Sequence, residues 1–257
     1  MCELLGMSAN VPTDIVFSFT GLMQRGGRTG PHRDGWGIGF YEGRGLRLSQ
    51  DPAASCESEV ANLVQRYPIK SEVVIGHIRQ ANVGKVCLVN THPFSRELWG
   101  RNWCFAHNGQ LAGLEGSTTF YRPVGETDSE AAFCDLLNRV RRAFPEPVSV
   151  EMLLPVLVAS CASYRKLGVF NCLLSDGDWL FSFCSTKLAH ITRRAPFGPA
   201  QLKDADLKVD FQSQTTPNDV VTVIATEPLT DNEQWSLYQP GEWRLWRRGE
   251  CITHGKA

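Results

Sequence analysis

Cys2 follows the initiating methionine directly, so removal of Met1 would leave one residue carrying both a thiol and a free α-amine. An α-amine titrates at about 7.7 to 8.0, which leaves an appreciable neutral fraction near pH 7 to act as a base. Nucleophile and base on one residue make a separate histidine unnecessary, as in enzymes whose N-terminal threonine is activated by its own amine. Position alone does not decide the matter, because a cysteine near a chain start is as readily a small buried residue.

Other residue types invite other chemistry. Cys104-x-x-His107 has the spacing of a metal-ligand pair that His32, His77 or His92 could complete. No second Cys-x-x-Cys pair accompanies it, packing explains these residues more simply, and no metal is expected. Asn108-Gly109 reads as a turn, since both residues tolerate positive φ. Asp128 falls in the first turn of a helix, where compensating the helix dipole, worth about 0.3 to 1 kcal/mol, is sufficient reason for an acid.

Five segments follow Cys2 in order: His32-Arg33-Asp34-Gly35, Gly76-His77-Ile78-Arg79, Asn90-Thr91-His92-Pro93-Phe94, His107-Asn108-Gly109-Gln110-Leu111 and Thr127-Asp128-Ser129-Glu130. Each is weak alone. Together, behind Cys2, they resemble the class II glutamine amidotransferases, whose glutaminase domain is an N-terminal-nucleophile hydrolase. The resemblance, strongest to stand-alone bacterial members, extends over essentially the whole chain.

That resemblance implies an α+β fold, a four-layer α/β/β/α sandwich of two mainly antiparallel sheets. It implies attack of Cys2 on the side-chain amide of glutamine through a γ-glutamyl thioester, without a metal or organic cofactor. The Asn108 side chain and the Gly109 N–H would form the oxyanion hole, where one donor is typically worth about 3 kcal/mol of barrier lowering. Arg79, with a planar fork suited to a carboxylate, would take the α-carboxylate of glutamine, and Asp128 its α-ammonium. Arg33 would line the surroundings of the nucleophile, where a cation favours the thiolate. The sugar-synthesising members continue Trp-Ala-Thr-His after the matching arginine, whereas this chain has Gln80-Ala81-Asn82-Val83.

Family members usually carry or bind a synthase that receives the ammonia. Here the resemblance consumes the chain, so an acceptor is expected on a separate subunit or not at all. Two other readings stay open: hydrolysis of another γ-glutamyl amide or conjugate, and a non-catalytic regulatory subunit that keeps the fold.

Composition narrows the classes further. Lys plus Arg number 26 against 27 Asp plus Glu, which gives no field for nucleic acid or an acidic membrane surface. Nine cysteines at irregular spacings, several within apolar runs, suggest reduced thiols and a cytoplasmic setting. No basic region followed by an apolar stretch opens the chain, and no run approaches about 18 apolar residues, so neither export signal nor membrane span is expected. At 257 residues, one domain over 1–257 is the expectation.

The elements that must position these residues are partly legible. Ile15, Val16, Phe19, Leu22 and Met23 fall on one face of a helix over 13–24, and 57–66 reads as a short helix. A buried strand is predicted over 73–78, and another over 103–106 running into a turn at 107–110. Thr127 and Glu130 form a capping box for a helix, and 149–166 forms another, kinked or restarted at Pro155. Strands at 169–174 and 179–184 flank a hairpin turn, with more at 220–226 and 243–247, while 193–218 is irregular. Sheets inside and helices outside is the residue-level reading.

Overall fold

The computed structural model describes residues 2–114, 116 and 118–257. Its first half contains β1 (Glu3–Asp14), α1 (Val16–Arg25), β2 (Trp36–Glu42), β3 (Gly45–Asp51), α2 (Glu59–Arg66), β4 (Lys70–Ile78), β5 (Phe94–Leu98) and β6 (Arg101–Leu111). Helices α3 (Asp128–Ala143) and α4 (Val150–Arg165) follow, then β7 (Gly168–Ser175), β8 (Leu180–Phe183) and β9 (Ala189–Arg194). The chain continues through β10 (Pro199–Gln201), β11 (Lys208–Asp210), β12 (Val220–Ala225), β13 (Ser236–Leu237), β14 (Glu242–Arg247) and β15 (Glu250–Lys256).

Two sheets stack, one in the order β13-β9-β12-β1-β4-β2-β3 and the other β15-β14-β8-β7-β6-β5. Neighbouring strands pair antiparallel throughout. The period-2 alternation of side chains explains why central strands are apolar on both faces. In β1, Leu4 enters the layer between the sheets, while Leu5 and Met7 face α1, packing with its Phe19 and Leu22. In β6, Cys104 and Ala106 point inward, while Trp103 and Phe105 pack outward with Phe133 and Leu137 of α3. The result is the expected α/β/β/α sandwich.

Helix α3 shows how local sequence sets an element. The Thr127 hydroxyl accepts from the Glu130 N–H at 3.2 Å, the first half of the expected capping box. Glu130 bonds elsewhere: its carboxylate accepts from the N–H groups of Val124 and Gly125, at 3.0 and 2.7 Å, and pairs with Arg96. The helix start is thereby tied to the preceding loop.

Four expectations are corrected. Strand β1 is missing from the sequence reading and extends through Thr13, so α1 starts only at Val16, whose N–H donates to Asp14 Oδ1 at 2.7 Å. The predicted turn at 107–110 is strand: β6 continues to Leu111, with Asn108 opposite Asn171 and Gly109 opposite Phe170. Helix α4 does not restart at Pro155 but continues through it; the proline lies on its exposed face, where a carbonyl deprived of its N–H partner can be hydrated. The irregular 193–218 stretch contains the β10–β11 hairpin.

Candidate active site

The register of β1 against β4 pairs Glu3 with Ile78, so Cys2 lies beside Arg79 and Gln80 at the strand ends. From the second sheet, β6 brings Gly109 to the same place, and the start of α3 brings Asp128. Cys2, Arg79, Gln80, Gly109 and Asp128 line one cleft, together with Val83, His92, His107 and Thr127. The cleft is narrow, with a cavity volume of about 20 Å³, room for a water or two.

The Gln80 N–H donates to Cys2 Sγ at 3.3 Å, and the sulfur stands 3.5 Å from Gln80 O. Burial pushes the Cys2 thiol above its ordinary pKa, opposed by the Gln80 hydrogen bond and the charge of Arg79. A resting thiol, rather than a thiolate, follows, and a thiol acts as a nucleophile only with a base. Met1, whose removal the sequence argument requires, lies outside the described residues.

Gly109 is required by close approach: a Cβ there would stand 1.8 Å from Val169 O. Next to it, Asn108 is buried and does not itself line the cleft. Its Nδ2 donates to Thr226 Oγ1 at 3.3 Å, and its Oδ1 has no partner among the described residues. The same threonine oxygen accepts from the Leu4 N–H at 2.9 Å. Thr226 escaped the sequence reading, because a threonine ending a β-strand carries no motif.

The two residues expected to grip the ends of glutamine lie in the cleft wall but are already engaged. Arg79 is buried; its Nη1 donates to Lys85 O at 3.0 Å, and its Nη2 to Val83 O and Gly84 O at 3.0 and 3.3 Å. Asp128 Oδ2 accepts from Leu111 N–H at 2.6 Å and Oδ1 from Ser129 N–H at 3.0 Å. Each holds a loop or strand end at the cleft, and the guanidinium Nε of Arg79 is in none of these bonds.

Arg33 does not join them. Half exposed, it donates to Gly27 O and pairs with Glu57, outside the cleft. The next residue carries the contribution of that loop: Asp34 Oδ2 accepts from Ala81 N–H at 2.7 Å, while backbone bonds link Asp34 to Arg79 and Arg79 to Gly35. A charged loop reaches the site through its shorter side chain and its backbone.

The metal-like spacing of Cys104 and His107 dissolves on a strand, where residues three apart point to opposite faces. Cys104 faces the inter-sheet layer, whereas His107 Nδ1 meets Ser129 Oγ at 2.8 Å on the α3 side. Among the described residues, no group of three or more potential ligands gathers. His77 and His92 stack with ring centroids 4.1 Å apart. Burial pushes the pKa of His77 down to about 3 and that of His92 well below its ordinary value, so both rings are neutral.

The family model for glutamine amidotransferases class-II matches residues 1–257. The chain is 62% identical to "Putative glutamine amidotransferase YafJ" of Escherichia coli K12, over 98% of this chain and 100% of that protein. It is 74% identical to a solved structure described as a predicted glutamine amidotransferase from Pseudomonas aeruginosa, with a TM-score of 0.81, covering 98% of this chain and 100% of the other. Glutamine phosphoribosylpyrophosphate amidotransferase of Bacillus subtilis shares the fold at 16% identity and a TM-score of 0.65, covering 99% of this chain and 49% of that one. This chain belongs to the class II glutamine amidotransferases.

Proposed function

We propose that the protein hydrolyses the side-chain amide of L-glutamine through Cys2, once Met1 has been removed. The freed α-amine takes the thiol proton and the sulfur attacks the amide carbon, forming a tetrahedral oxyanion that Asn108 and the Gly109 N–H stabilise. Collapse breaks the C–N bond, the amine's proton leaves with ammonia, and water cleaves the γ-glutamyl thioester to give glutamate. Arg79, through Nε or by exchanging a loop carbonyl, takes the α-carboxylate, and Asp128 the α-ammonium. Arg33 has no direct part.

The observation that carries this reading is the buried Cys2 thiol in one cleft with Arg79, Gly109 and Asp128. No helix is long and apolar enough to cross a membrane among the described residues, and the whole chain works as one glutaminase unit. A separate synthase subunit would receive the ammonia where the reaction is a transfer.

The test is release of glutamate and ammonia from glutamine by the wild-type protein and by Cys2→Ala. Turnover in the wild type and a loss on the order of 10⁴-fold or more in the variant is expected, with stability little changed. Activity confined to γ-glutamyl dipeptides would move the substrate assignment to such conjugates, and equal rates in both proteins would remove Cys2 from the reaction.

A further inference from the structure

Thr226 stands where the two sheets meet behind Cys2. Its backbone N–H donates to Leu4 O at 3.2 Å and its Oγ1 accepts from Leu4 N–H at 2.9 Å, so it is clamped to the second residue after the nucleophile. From there the hydroxyl reaches the Asn108 amide on the other sheet. Both residues are buried, Asn108 at 1% and Thr226 at 4% exposure.

With Nδ2 toward Thr226, two needs go unmet. The hydroxyl already accepts from Leu4, so its own proton has no acceptor in that contact, and Asn108 Oδ1 has no partner among the described residues. A half-turn of the amide plane about Cβ–Cγ meets both without moving the heavy-atom frame, and transfers the unmet capacity to the two Nδ2 hydrogens. The Thr226 O–H then donates to Oδ1, and both Nδ2 hydrogens point away from Thr226.

We propose that Thr226 is a positioning residue: its hydroxyl, polarised by Leu4 N–H, holds Asn108 with Oδ1 toward Thr226 and leaves Nδ2 to donate to the reaction oxyanion. This rests on the glutaminase reading for its consequence in turnover, but the amide orientation is a property of the protein alone. The same hydroxyl couples the two sides of the site. Leu4 continues the strand that bears the nucleophile, and Asn108 continues the strand that bears Gly109.

Two measurements test it. In steady-state glutamine hydrolysis, Thr226→Val, which keeps the shape but not the hydroxyl, should lower kcat about 10- to 100-fold with KM within about twofold. Thr226→Ser should retain kcat within about threefold. Alkylation of Cys2 by iodoacetamide, which forms no oxyanion, should proceed at the wild-type rate in both variants. Neutron diffraction of the deuterium-exchanged wild-type protein should place the Thr226 deuteron between Oγ1 and Asn108 Oδ1. Unchanged kcat in Thr226→Val, when Asn108→Ala is impaired, overturns the inference and leaves the glutaminase reading standing. Equal losses in the valine and serine variants also overturn it. If the wild type hydrolyses no glutamine, that reading fails by itself, and the diffraction decides the inference: two deuterons on the Asn108 atom facing Thr226 would refute it.

Discussion

The layer between the sheets has a middle and an end that obey different rules. In the middle, Leu4, Ile75, Ala106, Leu173 and Ile224 are fully buried hydrocarbon, and burial of each large side chain stabilises the fold by about 1.5 to 3 kcal/mol. At the end, Cys2, His77, Asn108 and Thr226 occupy the same layer. Of nine buried side-chain nitrogen and oxygen atoms without a protein partner among the described residues, four belong to His77, His92 and Asn108. Unmet polar atoms are costly to bury, and four of them gather at this end of the layer.

The contrast can be broken by exchanging effects between the regions. Asn108→Ala should lower kcat on the order of 10²- to 10³-fold, about 3 to 4 kcal/mol of barrier, with urea unfolding little changed. Leu173→Ala in the middle should do the reverse, losing about 3 kcal/mol in urea titration while the folded fraction keeps its kcat. A large loss of turnover per folded molecule in Leu173→Ala would show that the regions are not separable.

Acid sharpens the comparison at the histidine stack. His77 stays neutral in the fold until about pH 3, whereas in the unfolded chain it protonates near its ordinary value of 6.5. Below pH 6.5 the unfolded state therefore binds more protons, and stability falls as pH drops toward 3. For His77 alone the loss at pH 5 is about 2 kcal/mol, and His92 and His107, also shifted down by burial, act in the same direction. Unfolding free energies measured at pH 7 and pH 5 check the sign; a protein equally stable at both would contradict it. The smallest effect belongs to Arg33→Ala, where an exposed ion pair is worth about 0 to 1 kcal/mol and glutaminase activity should stay within about twofold.

The legible parts of the chain were those whose signals are local. The cap at Thr127, the hairpin around Gly177 and the strand at 73–78 announce themselves in a few residues. Strand β1 did not: Leu5, Met7 and Ala9 alternate with Gly6, Ser8 and Asn10 at the strand period, but Gly6, Ala9 and Asn10 are poor strand formers and its pairing partners, Ile78 and Ala225, are remote in sequence. Asn108-Gly109 misled for a related reason. Asn-Gly favours turns, but here the glycine serves a strand that must pass within contact of Val169 O. The resemblance brought Cys2, Arg79, Gly109 and Asp128 to one cleft, but it did not predict that Arg79 and Asp128 would already hold backbone groups, or that Asp34 rather than Arg33 would reach the site. Those outcomes depend on side-chain length and neighbouring loops, which no short motif encodes.

The central claim is that catalysis uses Cys2 with its own free α-amine. Intact-mass analysis coupled to glutaminase assay, on protein lacking Met1 and on a form with one residue retained before Cys2, tests it directly. The account predicts glutamate release only from the form whose chain begins at Cys2. Full activity from protein that still carries Met1 would contradict it.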